Sequence, residues 1–255
     1  MDEAPLPLPE AVADPPAGAP RTYAGPPNKA TRNAVIGTLI ALVVAGYVSA
    51  GLLSFLLSEH PLVFIGLSST NRNLALASGD LAAWSFYLVA FLRLLAPDPL
   101  FFLLGRWYGD GAIRWMERKS PSYGQLMRQL EKWFEKARYV MVVVAPNNPV
   151  CLFAGASTMT WSSFLVANVI GTIGRLVLIR AFSSVFEDLL GPVRSFISDY
   201  QKPLLVVSVV LVGVSIWSER RAGRSSIGDL ANIEDEIAAG EGSGRSSGPG
   251  PADEA

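Results

Sequence analysis

Long apolar runs, twice interrupted by short polar breaks, organise this chain. AVIGTLIALVVAGYVSAGLLSFLL, residues 34–57, is 24 residues without a charge, enough to cross a bilayer with some tilt. A second run, residues 81–96, continues through Pro97-Asp98-Pro99 into residues 100–105, so it predicts a crossing helix broken near its end. Residues 162–182 and 203–218 complete a set of four predicted crossings.

Two further apolar segments have a different pattern. Residues 61–79 carry the polar centre Ser68-Ser69-Thr70-Asn71-Arg72-Asn73, and residues 139–157 carry Pro146-Asn147-Asn148-Pro149. Each half holds about 6–10 residues, short of the roughly 20 that a crossing helix needs. Broken backbone at membrane depth survives only where it is buried in protein or lines a wet cavity. Two re-entrant hairpins of opposite orientation are therefore expected. A weak internal repeat supports the pairing: Asn71 to Gly79 and Asn147 to Gly155 are both eight positions. Each stretch leads into a longer helix with an early tryptophan, Trp84 or Trp161. The expected fold is an all-α integral membrane protein of the inverted-repeat type, with about four transmembrane helices plus the two hairpins.

Charge sets the orientation. Arg21, Lys29 and Arg32 precede the first run, and Arg220, Arg221 and Arg224 follow the last. Between residues 106 and 138 lie eight basic residues: Arg106, Arg114, Arg118, Lys119, Arg128, Lys132, Lys136 and Arg138. Basic loops stay in the cytoplasm, which puts both termini there and the protein in the cell's inner or plasma membrane. Tyr123, Leu126, Met127, Leu130, Trp133 and Phe134 recur at helical spacing and predict an amphipathic surface helix. The first thirty residues lack the apolar core of a signal peptide, so the first span is expected to be a retained anchor. Residues 1–32, with eight prolines, and residues 219–255, rich in Gly, Ser, Ala and acids, are expected to be disordered cytoplasmic tails around a membrane domain at 33–218.

Composition narrows the chemistry. A formal net charge of -1 gives no bias toward nucleic acid. One cysteine, Cys151, and one histidine, His60, exclude an internal disulfide and a typical zinc site. No metal or cofactor is expected. Cys151 reads as a small packing residue and His60 as an interface residue.

Two stretches resemble a known family. DPLFFLLGRWYG, residues 98–109, is similar to the "GD-x-x-x-Y-x-x-GR-x-x-G" stretch of the DedA family, also called the SNARE-associated or VTT domain. APNNPVCLFAGASTMTWSSFLVANVIGTIGR, residues 145–175, resembles its second hallmark through Pro146, Ala154-Gly155, Met159, Phe164, Asn168 and Gly171. The resemblance spans roughly residues 35–218. It implies hairpins facing each other across the membrane and movement of lipids, undecaprenyl phosphate among them, coupled to the proton motive force. It puts Asp98 at the family's acid, Arg106 at its arginine, and Gly79, Gly105, Gly109 and Gly155 at its glycines. Many members carry an acid in the first hairpin and an arginine in the second. Here those places read Thr70-Asn71-Arg72-Asn73 and Asn147-Asn148-Pro149.

Charges inside a membrane need partners or water. Arg72, Arg93, Asp98 and Arg175 are therefore expected to line a cavity for an anionic lipid headgroup, with Asp98 as counter-ion. Arginine suits phosphate because its planar fork donates two parallel hydrogen bonds. Asn71, Asn73, Asn147 and Asn148 are expected to cap the broken helices and to border that cavity, with Pro146 and Pro149 shaping the second break. An ion pair of Arg93 with Asp98 is the structural alternative, and Arg180 is expected to snorkel. The expected function is translocation of a phosphate-bearing lipid without covalent chemistry, since no His, Ser and acid converge for an enzyme. The alternative is a non-transporting structural or adaptor protein of the envelope. Membrane lipids are the expected partners; self-association is compatible with the sequence and not specified by it.

Overall fold

In a computed structural model, residues 25–109, 111–113 and 137–221 are described, with Gly228, Ala231, Asn232 and Asp235 beyond them. These residues are helical, with no strand among them. Helix α1, Lys29–Gly51, starts inside the expected tail because the side chain of Asn28 caps it, accepting from the Thr31 N–H at 2.7 Å. It ends at Gly51, and Leu52 turns the chain into α2, Leu53–Glu59. The predicted run 34–57 is therefore two helices rather than one. The turn falls beside Val212 of the helix Gln201–Arg221, which a Cβ on Gly51 would meet at 4.0 Å.

The first broken segment is α3, Pro61–Leu67, the break Ser68 to Thr70, and α4, Asn71–Ala77. Helix α5, Ala83–Leu95, and α6, Asp98–Tyr108, follow, separated by a turn at Ala96 and Pro97. Pro97 and Pro99 lack the N–H groups that would continue the helix, and Pro99 is tolerated in the first turn of α6. The second broken segment is helical at residues 137–144, breaks at 145–147 and resumes as α7, Asn148–Ala156. Helix α8 is Trp161–Val185, α9 is Glu187–Asp199 and α10 is Gln201–Arg221.

Among the described residues, four helical stretches are long and apolar enough to cross a bilayer: Lys29–Gly51, Ala83–Tyr108, Trp161–Val185 and Gln201–Glu219. At about 1.5 Å per residue, the seven residues each of α3 and α4 and the nine of α7 fall well short of a hydrocarbon core of about 30 Å. The predicted amphipathic helix at 123–134, most of residues 106–138 and most of both tails lie outside the described residues.

Two apolar clusters hold the broken segments. The second segment's Val142, Val150, Leu152 and Phe153 pack with Val35, Ile36 and Leu39 of α1, Phe102 and Leu104 of α6, and Phe164 of α8. The first segment's Phe64, Ile65, Leu74 and Ala77 pack with Leu56 and Leu57 of α2, Phe86 and Ala90 of α5, Leu176 of α8 and Ile197 of α9. On α8 the clusters sit toward opposite ends, at Phe164 and at Leu176. The same is true of α5 with α6, and of α1 with α2.

Helices α6 and α7 approach closely enough to exclude any side chain at two points. A Cβ on Gly105 would lie 2.0 Å from the carbonyl oxygen of Leu152, and one on Gly155 would lie 1.9 Å from that of Phe102. Small residues let helix backbones touch in this way. Gly109 closes α6 at φ 49°, a conformation that favours glycine.

Candidate functional site

Between the two clusters lies a cavity of about 880 Å³, within the size range of ligand pockets. Both breaks line it: Ser68, Ser69 and Thr70 from the first, and Ala145, Pro146, Asn147, Asn148 and Pro149 from the second. Arg93, Asp98 and Arg175 contribute from α5, α6 and α8, and Leu94, Pro97, Ala137, Val140, Met141, Val144 and Val150 supply apolar wall.

Arg175 ties the two segments together. Its Nε and Nη2 both donate to Oδ1 of Asn71, at 2.9 and 2.6 Å, and its Nη1 donates to the carbonyl of Pro146 at 3.3 Å. The first acceptor opens α4 and the second belongs to the other break. Pro146 is buried, and the guanidinium gives its carbonyl a donor that the break leaves it without.

Asp98, 5% exposed, begins α6. The thiol of Cys151, the amide of Asn168 and the charge of Arg175 act on its carboxylate. Asn168 is fully buried with its amide acting on this carboxylate, which gives each of these two buried polar groups a partner. In the sequence Asn168 stands only as a motif residue and Cys151 only as packing; a lone amide in the apolar stretch 164–171 is the available signal.

Arg93 pairs with backbone rather than with Asp98. Its Nε and Nη2 donate to the carbonyl of Leu67 at 3.1 and 3.0 Å, and Nη2 also reaches that of Leu42 at 3.2 Å. Leu67 ends α3, so the guanidinium satisfies a carbonyl that the break leaves free. No ion pair joins Arg93 to Asp98 among the described residues.

Asparagine caps the helix after the second break, whereas α4 follows Thr70 with no side-chain cap. Asn147 accepts from the Val150 N–H at 3.0 Å and starts α7, with Pro149 in the first turn and Asn148 exposed to the cavity. Asn73 is buried and donates to the Ser68 carbonyl at 3.0 Å, leaving its Oδ1 unpaired. Asn71 meets the site through Arg175. Arg72 departs from expectation: it is exposed and is not among the residues lining the cavity. Asn71 and Asn73, expected to border the cavity, are also not among its lining residues: Asn73 is buried in the packing of the segment, and Asn71, exposed, meets the site only through Arg175.

Arg180 donates to the carbonyls of Ser78 at 3.2 Å and Leu81 at 3.3 Å, with its guanidinium over the rings of Phe86 and Tyr87. Arg194 of α9 packs at the same turn, 3.8 Å from Asp80, where a Cβ on Gly79 would lie 2.4 Å from its guanidinium. At the far end of α6, Arg106 donates to the Ser157 carbonyl at 3.4 Å. No group of His, Cys, Asp and Glu that could hold a metal occurs among the described residues.

Residues 71–184 match the VTT domain. The chain carries a VTT domain, that of the DedA (SNARE-associated) family. The matched stretch runs from Asn71, the acceptor of Arg175, to the last turn of α8. It includes Arg93, Asp98, the whole second segment and Arg175. No curated protein and no solved structure matches the chain.

Proposed function

We propose that this VTT-domain membrane protein translocates a phosphate-bearing lipid, such as undecaprenyl phosphate or a phospholipid, by passing its headgroup through the cavity between the breaks. The carrying observation is the convergence of both breaks with Arg93, Asp98 and Arg175 around about 880 Å³. Broken backbone at membrane depth is stable where it borders such a cavity, and sites of this kind lie where oppositely oriented segments meet. Helix N-termini at Asn71 and Asn148 add partial positive charge that favours an anion.

The clusters support a re-entrant, inverted arrangement. With the N-terminus in the cytoplasm, the cluster at Val35 and Leu39 lies on the cytoplasmic side and holds the second segment; the other cluster lies on the outer side and holds the first. Each segment then enters from its own face and turns back at its break, leaving both termini in the cytoplasm. The reaction needs no covalent step. The headgroup exchanges water for guanidinium donors and amides and leaves by the opposite side.

One observation favours a second reading. Arg93 and Arg175 already donate to protein acceptors, as they would in a purely structural protein of the envelope. Transport separates the two. Protein reconstituted into vesicles with fluorescent phosphatidic acid or phosphatidylcholine is treated with a membrane-impermeant reductant. A translocator takes quenching of the anionic lipid beyond the outer leaflet's share. A structural protein leaves it at the outer leaflet's share.

A further inference from the structure

The geometry points to the helix at residues 137–144 as the wall along which the hydrocarbon chain of the same lipid enters and lies, a lateral portal into the cavity. This rests on the lipid-translocation reading and adds to it the route and the chain site. Helix 137–144 has two unlike sides. Val142 is fully buried in the core, and the carbonyl of Val143 comes so near Gly171 that a Cβ there would lie at 2.4 Å. That side is fixed on α8. Ala137, Val140, Met141 and Val144 recur at i, i+3, i+4 and i+7 and line the cavity, one continuous apolar face. Val140 and Val144 are nevertheless 61% and 76% exposed, so this wall continues outward from the cavity into the lipid-bathed surface of the domain. Leu94 and Pro97 also line the cavity, and Arg175 and Arg93 are held at the breaks, bonded to Asn71, Pro146 and Leu67. A cavity with cations at the breaks and an apolar wall open to the bilayer matches an amphiphile whose phosphate goes in while its chain trails along the wall. A free phosphate would use the cations and leave this face empty. A second copy of the chain would cover the face and close the cavity's mouth.

Photolabelling tests this on the full chain. Phosphatidic acid with a diazirine midway along one acyl chain is placed in phosphatidylcholine vesicles with the protein and illuminated, and adducts are mapped by mass spectrometry. The expected result is labelling of Val140, Met141 and Val144 that exceeds that of the exposed Leu178 and Val185, and that excess unlabelled phosphatidic acid removes. Arg175→Ala should lower it about tenfold, as loss of a charge-assisted hydrogen bond would. Competable labelling elsewhere, with transport intact, overturns the portal and leaves the translocation reading standing. No competable labelling anywhere, with no transport, overturns both. A Val140→Cys protein that forms disulfide-linked dimers in the membrane assigns the face to a second copy and overturns the proposal; Cys151 is fully buried and does not confuse that readout.

Discussion

Arg175 reaches across 104 residues to donate two hydrogen bonds to the Oδ1 of Asn71, while its third donor holds the carbonyl of Pro146 in the other break. One side chain on a crossing helix thus spans both interruptions. The first prediction concerns its structural part. Hydrogen bonds to charged groups contribute about 1.5–3 kcal/mol each. Arg175→Ala should therefore lower the unfolding midpoint in detergent, and Arg175→Lys, which keeps the charge but loses the fork, should recover only part of it. Equal midpoints for Lys and Arg would show that the fork does not matter.

The glycine contact gives the second prediction. Gly105 and Gly155 each face a carbonyl of the partner helix at a distance no Cβ can occupy. Gly105→Ala and Gly155→Ala should each push α6 from α7 and cost about 1–3 kcal/mol or more, as overpacking does. Asp98 begins α6 and Asn148 begins α7, so the same displacement should widen the site. Thermal unfolding followed by size-exclusion chromatography reads the cost. Gly174→Ala is the control, since nothing lies within 4 Å of a Cβ there.

Asp98 gives the third. It is the only carboxylate among the residues lining the cavity. Asp98→Asn keeps the shape and removes the negative charge beside Arg175. Binding of phosphatidic acid should tighten, and any response of flipping to a proton gradient in the wild type should vanish. Weaker binding would mean that the carboxylate orients the site rather than competing with the ligand.

Much of this was legible in the sequence. Hydropathy is local, and so are the Pro and Asn residues that interrupt it, so four crossings and both breaks could be placed. The convergence of Asp98, Arg93 and Arg175 followed from the cost of membrane charge. The partners did not. Arg93 and Arg180 donate to backbone carbonyls 26 to 102 residues away, acceptors that carry no side-chain signature. Arg72 and Arg175 look alike as charges in apolar runs, and only the helix phase set by the buried Asn73 separates them. The bend after Gly51 was hidden because Leu52 to Leu57 are as apolar as a continuing span.

Arg180 supplies the fourth prediction. Its two backbone bonds hold the turn after α4. Arg180→Ala should leave the carbonyls of Ser78 and Leu81 without their donor and speed amide hydrogen exchange across residues 74–82, with little change in residues 148–156. Unchanged exchange at the first segment would show that the turn is held by Arg194 and packing instead.

If Arg175 and the breaks it joins form a path for a lipid headgroup, the side chain sets the rate of flipping. The initial rate for phosphatidic acid is measured in vesicles holding equal amounts of folded wild type, Arg175→Lys and Arg175→Ala, matched by size-exclusion profile. Rapid flipping by the wild type, a reduced rate for Arg175→Lys and loss for Arg175→Ala are expected. Equal rates in all three, or none in the wild type, would rule the path out.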